Sequence, residues 1–214
     1  MWKMKDGKLY FYYGTMASAK TLRLLTTAYN FEENNIEFMV FKPSLHIRDG
    51  KSIIKSRVGL ERECVGIEPD DNIYEAVKKY NSILESANCK LVEWILIDEC
   101  QFLTEEQVNQ LADIADEMGI RVMCFGLRTD FQSKLFSGSK RLFEIADVIE
   151  EVKSRCKCGR KTSINARFDK DDNLVLTGEQ IMTSGEIPYK PLCRKCWNKL
   201  VKEIKNKKRE IIIE

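Results

Sequence analysis

Residues 8–13, KLYFYY, form an apolar, aromatic run that stops at Gly14, and the following residues, TMASAKTLRLL, pass through small residues into a helical period. A buried strand that feeds a loop and then a helix is the unit from which parallel sheets are built. The loop also has the spacing of a phosphate cradle. G-x-x-x-x-G-K-[ST] fits Gly14 to Thr21, except that Ala19 stands where the second glycine belongs. In such a cradle the backbone N–H groups of Thr15, Met16, Ala17, Ser18 and Ala19 face phosphate oxygens at a helix N-terminus. Lys20 would reach the β- and γ-phosphates, and Thr21 would place its hydroxyl on Mg²⁺. The alternative is a strand–turn–helix joint with no ligand.

The rest of the chain repeats the alternation. Leu22, Leu25, Ala28 and Tyr29 keep helical spacing after the loop, and IEFMVFKP is a second strand, stopped by Pro43. Residues 44–63 have little periodicity and many basic residues, which reads as a loop. NIYEAVKKYNSILESA is an amphipathic helix, and VEWILIDE is a buried strand that ends in two carboxylates. In TEEQVNQLADIADEMG, Thr104 and Gln107 fit a capping box and Gly119 fits a C-cap. IRVMCFGL is another buried strand, and ADVIEEV is a short last one. These elements predict a parallel α/β sheet flanked by helices. The pattern changes near Ser154, where cysteine pairs, a hairpin-like SINARFDKDDNLVLTG and a helix around 194–208 follow. The expected domains are 1–153 and 154–214.

WILIDE gives the loop a partner. Asp98, at the end of an apolar strand, is placed as the Mg²⁺-holding carboxylate of a P-loop enzyme. That carboxylate is expected on the strand next to the loop strand. Glu99 beside it could accept a proton from an attacking hydroxyl or water. The alternative is that both carboxylates merely end a strand.

A chain of 214 residues accommodates one full domain and a small appendage. Its net charge of +2 argues against a general nucleic-acid binder. The basic run NKLVKEIKNKKRE reads as a solvated helix end. No stretch approaches the ~18 apolar residues that span a bilayer. A cytoplasmic protein with no membrane partner is expected, and in that reducing compartment the eight cysteines need an account other than disulfides. Cys64, Cys89, Cys100 and Cys124 are scattered and read as core or inert thiols. Cys156, Cys158, Cys193 and Cys196 form two close pairs that could give a closed, structural zinc site.

Four segments carry a family resemblance: GTMASAKT, DECQF, FGLRTDFQSKLFSGS and YKPLCRKC. Together they resemble the cytosolic, zinc-containing thymidine kinases, in their bacterial-like branch, and span residues 8 to 197. The resemblance implies a P-loop NTPase core with a small zinc-anchored lasso. It implies phosphoryl transfer from ATP to the 5′-hydroxyl of thymidine or deoxyuridine, with Glu99 as general base. It places Gly14–Thr21, Asp98 and Gln101 around ATP and Mg²⁺, with Arg48 and Arg57 on the phosphate side. Met16, Phe102, Leu127, Phe131 and Phe136 would shape the base pocket. Thr183, Ser184, Gly185, Glu186 and Ile187 would be the lasso that reads the pyrimidine edge by its backbone, closed by Tyr189. The family is commonly tetrameric, and no nucleic-acid partner is implied. The chain departs from the family at Ala19, at His46 where a D-x-R motif has aspartate, and at the C-x-C spacing of the first cysteine pair. Two other readings stand beside this one: a P-loop ATPase with water as acceptor, and a zinc-ribbon module that binds nucleic acid.

Overall fold

The structure is a computed structural model and describes residues 6–44, 52–181 and 188–213. Strand β1 (Lys8–Gly14) leads through the glycine–alanine loop into helix α1 (Lys20–Glu33), followed by β2 (Phe38–Pro43). A hairpin of β3 (Ile53–Lys55) and β4 (Glu61–Glu63) precedes β5 (Val65–Ile67) and α2 (Ile73–Ser86). Then come β6 (Trp94–Ile97), a 3₁₀ turn at Cys100–Phe102, α3 (Glu105–Met118), β7 (Arg121–Leu127), α4 (Ser137–Ile145) and β8 (Val148–Glu151). The remainder contains β9 (Ile164–Phe168), β10 (Leu174–Val175), β11 (Tyr189–Leu192) and α5 (Arg194–Ile213).

Six strands make one parallel sheet in the order β5-β2-β6-β7-β1-β8. A parallel sheet needs cover on both faces, and successive residues of a strand point to opposite faces. β6 shows the consequence. Ile95 and Ile97 join a core with Val77 of α2, Leu111 and Ile114 of α3 and Leu142 of α4. Leu96 points the other way, to Leu24, Leu25 and Ala28 of α1 and Phe125 of β7. Fully burying each such side chain contributes about 1.5–3 kcal/mol.

The helix ends follow the sequence signals. Asn72 accepts from the Glu75 amide at 3.0 Å, and Thr104 and Gln107 form the reciprocal capping box. Gly119 ends α3 with φ 66°. Helices α1 and α4 start without a side-chain cap, and of the two only α1 opens on the glycine–alanine loop. Its opening N–H groups are available to a ligand instead.

Three features differ from the sequence expectation. Residues 44–63 contain the β3–β4 hairpin, which is anchored by the fully buried Ile54 and by Lys42 Nζ donating to the Ile53 carbonyl at 3.0 Å. One apolar anchor in three residues is too little to register as a period. Helix α4 was not legible, since SGSKRLFEI opens with small polar residues. And β6 does not lie next to the loop strand, because β7 is inserted between β6 and β1. The small antiparallel sheet β10-β9-β11 stands apart from the parallel one in sequence and in pairing. No helix among the described residues is long and apolar enough to cross a membrane.

Candidate active site

The C-terminal ends of β1, β6 and β7 open on one cleft of about 270 Å³. Its walls are the loop from Met16 to Thr21, Arg57 with its hairpin neighbours, and Glu99, Gln101, Phe102 and Leu127. The crevice beyond the carboxyl ends of parallel strands is where such sheets bind ligands.

The loop is shaped by close approach. A Cβ on Gly14 would lie 2.5 Å from both Ser18 Oγ and the Val152 carbonyl, so only glycine fits there. Ala17 and Ala19 both adopt left-handed backbone, with φ 57° and 65°. Lys20 is buried, and its Nζ donates to the Thr15 carbonyl at 2.8 Å. Burial pushes its ammonium below the ordinary lysine value, while Glu99 and Asp98 pull it back up. The facing carboxylates favour the charged form of the buried amine, which keeps a cation at the mouth of the loop.

Two strand widths, about 10 Å, separate β1 from β6, yet the loop crosses that gap. Thr21 leans over β7 so that its hydroxyl donates to Asp98 Oδ1 at 3.4 Å. Asp98 is buried, and desolvation with the Glu99 charge beside it pushes its carboxyl up to about 7. A hard divalent cation would hold it ionised. A hydroxyl and a carboxylate are two of the oxygens that Mg²⁺ takes alongside water and phosphate, so the donor set fits that ion.

Glu99 sits in left-handed backbone at the head of the 3₁₀ turn, with φ 51°. Gln101 fixes its direction. The Gln101 amide donates from Nε2 to Glu99 Oε2 at 2.5 Å, and its Oε1 accepts from the Leu127 amide at 2.9 Å. That bridge requires Gly126, where a Cβ would lie 2.7 Å from Gln101 Oε1. Phe102 lines the cleft and meets Phe136 edge-on with ring centroids 5.6 Å apart. Phe136 and Phe131 are buried and are not among the residues that line it. Tyr189 is half-buried at the start of β11, paired with Arg167. Arg48, His46, Thr183, Ser184, Gly185, Glu186 and Ile187 lie outside the described residues.

The thiols of Cys156, Cys158, Cys193 and Cys196 converge, with all four sulfurs within 4.8 Å of one another. Zinc–sulfur bonds of about 2.3 Å in a tetrahedron require sulfurs roughly 3.8 Å apart, so the cluster fits zinc. Backbone N–H groups of Cys158 and Cys193 hold the Cys156 thiol down at about 6, and the Cys196 N–H lowers Cys193. Cys196, surrounded by thiols, is pushed up to about 12. Of the other cysteines, Cys100 and Cys124 are fully buried, as expected for core thiols, Cys64 is half-buried and Cys89 is exposed.

Two residues of β9 had no signal in any motif. Asn165 Oδ1 accepts from the Met16 amide at 2.8 Å, and its Nδ2 donates to the Thr129 carbonyl at 3.0 Å. Arg167 lies over the Phe131 ring, 3.5 Å from its centroid, and donates to the carbonyls of Glu179 and Thr177. The readable trace was two polar side chains at alternate positions of a strand that is otherwise apolar, hence on one face.

The family model of thymidine kinases matches residues 7–197. A thymidine kinase of Listeria monocytogenes is 44% identical over 190 residues, covering 88% of this chain and 95% of its own length. One of Mesorhizobium japonicum is 44% identical over 191 residues, 89% and 90% of the two chains. One of Mannheimia succiniciproducens is 41% identical over 187 residues, 87% and 93%. With a match of that extent running through the loop, the carboxylate strand and the cysteine cluster, the chain belongs to the thymidine kinase family.

Proposed function

We propose that this chain transfers the γ-phosphate of ATP to the 5′-hydroxyl of thymidine or deoxyuridine. The observation that carries the reading is the one cleft lined by Lys20, Thr21 and Glu99, with the buried Asp98 accepting from Thr21 just behind its wall. Phosphoryl transfer asks mainly for positioning and for positive charge where negative charge develops. The N–H groups of Ala17 to Ala19 and of the uncapped α1 terminus bind the phosphates, while Asn165 keeps the Met16 amide and so holds the loop in shape. Lys20 leaves the Thr15 carbonyl to stabilise charge passing to the leaving ADP. Thr21 and Asp98 would hold Mg²⁺, which when bound with ATP neutralises its β- and γ-oxygens. Arg57, on the opposite wall, adds charge on the phosphate side, and Arg48 is assigned the same side.

Glu99 acts on the other substrate. As the 5′-oxygen bonds to the γ-phosphorus, its proton passes to the Glu99 carboxylate, which Gln101 holds in direction. Met16, Phe102 and Leu127 offer an apolar wall for the base, with Phe136 packed on Phe102 and Phe131 buried under Arg167. The segment 183–187, closed by Tyr189, reads the pyrimidine edge. Cys156, Cys158, Cys193 and Cys196 hold a structural zinc with no open position, and the division into residues 1–153 and 154–214 separates the phosphate machinery from the lasso. By the same resemblance the enzyme is cytoplasmic and a homotetramer.

ADP formation with and without thymidine tests the reading. Thymidine-dependent ADP is expected. ADP that forms equally without thymidine would make water the acceptor, and no ADP in either case would leave a binding module.

A further inference from the structure

The turn that carries Cys156 and Cys158 is closed by a narrow neck. The Thr162 amide donates to the Ser154 carbonyl at 3.0 Å, and Arg155 bridges Lys161 in antiparallel fashion. Of the two neck side chains, Ser154 is half-buried and Thr162 is buried. Thr162 is 2% exposed, and its hydroxyl lies 2.5 Å from Ser154 Oγ. Both hydroxyls reach Thr15 of the glycine–alanine loop: Oγ1 of Thr15 is 2.9 Å from Ser154 Oγ and 2.8 Å from Thr162 Oγ1. Three hydroxyls at mutual hydrogen-bond distance can each donate once and accept once, and the Ser154 carbonyl, 3.2 Å from Thr162 Oγ1, offers that hydroxyl a second acceptor. Thr15 is also the residue whose carbonyl holds Lys20 Nζ, and the adjoining backbone is tied in by the Val152 amide on the Tyr13 carbonyl at 2.7 Å.

We propose that Thr15, Ser154 and Thr162 form a three-hydroxyl clamp through which the neck of the cysteine turn positions the phosphate loop, making Ser154 and Thr162 positioning residues for ATP. The inference rests on the reading of residues 14–21 as the ATP loop. It gives the cysteine module a second task, at the nucleotide end of the cleft. The position of Thr15 sets the resting place of Lys20, so a loosened Thr15 displaces both the cation and the first loop amides. Removing the Thr162 hydroxyl leaves Thr15 and Ser154 with a single bond between them, and the buried Thr15 hydroxyl then loses one of its two partners.

The test uses equilibrium binding of a non-hydrolysable ATP analogue and, separately, of thymidine, with zinc content measured on the same samples. Thr162→Val keeps the shape and deletes the hydroxyl. It is expected to weaken the analogue about fivefold to tenfold, with thymidine affinity within about twofold and one zinc per chain. Thr162→Ser restores the hydroxyl and should return analogue binding to within about twofold of the starting protein. Unchanged analogue binding in folded, zinc-loaded Thr162→Val would overturn the clamp. So would an equal loss for both ligands, or loss of zinc, since either marks general support of the turn. If Thr162→Val does not fold, Ser154→Ala is read in the same way. Failure of the unsubstituted protein to bind the analogue would remove the ATP loop itself, and the clamp with it. Binding of the analogue without thymidine-dependent ADP would instead overturn only the kinase reading.

Discussion

Lys20, at the head of α1, and Asp98, at the end of β6, are backed by two apolar cores, in which Phe11, Leu24, Ile95, Ile97, Leu111 and Phe125 have essentially no exposed surface. Cys156 and Cys193 have nothing comparable behind them. Beyond residue 153 the buried apolar side chains, among the described residues, are Ile164, Ala166, Phe168 and the two thiols themselves. A segment with so small a core is held by staples. Here the staples are the cysteine cluster and the polar links from Asn165, Arg167, Ser154 and Thr162 to the sheet half. The sheet half therefore keeps its geometry by burial, and the cysteine half by a thiol cluster that fits zinc and by leaning on its neighbour. Each substitution below loads one of these supports or spares it.

The largest effect is expected at Glu99, the proposed proton acceptor for the second substrate. Glu99→Gln keeps size and hydrogen bonding and removes the proton acceptor, so turnover should fall about 10²–10⁴-fold with the melting temperature little changed. Near-normal thymidine turnover would move the base elsewhere. Lys20→Ala comes next, with a loss of at least ~100-fold in kcat/KM. Steady-state kinetics over both substrates measures each.

Metal removal separates the halves most directly. In the zinc-loaded protein the exposed Cys89 should be the thiol that alkylates fast. Cys64, which burial pushes up to about 11, should react slowly. After chelation, Cys156, Cys158, Cys193 and Cys196 should join the fast class, while Cys100 and Cys124 stay protected until global unfolding. The KM for thymidine should rise about tenfold, and more than that for ATP, as coupled metal and fold are lost together. Mass spectrometry of labelled peptides reads the first effect. Simultaneous labelling of all eight thiols would mean that the sheet half also depends on the metal.

This contrast also explains what the sequence made legible. Burial writes itself as periodicity, so β1, β6, β7 and the caps of α3 could be read from KLYFYY, WILI, RVMCFGL and the Thr104–Gln107 box. Lys20 and Thr21 come from the spacing of the loop and Asp98 from its place at the end of an apolar strand, and the structure brings the three together. The order of strands did not come through, since β7 enters between β1 and β6 by a choice of crossover that leaves no local trace. The polar links were equally hidden. Thr15, Ser154 and Thr162 are ordinary residues up to 147 positions apart, and only the fold makes them neighbours. Gln101 was named by resemblance, but its task of holding Glu99 against Leu127 is a matter of geometry.

The smallest effect is expected at Ala19, where the loop carries its own strain. The residue has φ 65° and ψ 25°, a left-handed conformation that costs a non-glycine residue roughly 1–2 kcal/mol. Glycine removes that penalty, but it also loosens the unfolded chain, a cost of about 0.4–1 kcal/mol. Ala19→Gly should then leave stability unchanged or raise it by about 1 kcal/mol, visible as a small increase in melting temperature. Activity should stay within about tenfold of the starting protein, because the amides, Lys20 and Thr21 still bind the phosphates and the missing methyl adds only space. The comparison with Lys20→Ala is what gives the result its meaning. If the two substitutions had equal and small effects on kcat/KM, the loop would not hold the nucleotide. If Ala19→Gly lost as much as Lys20→Ala, the methyl group itself would be a contact, and the left-handed alanine would be a feature that the site uses. The expected pattern, a large loss at the charge and almost none at the strained methyl one residue before it, would make Ala19 a tolerated departure whose strain the buried strand and helix on either side are strong enough to hold.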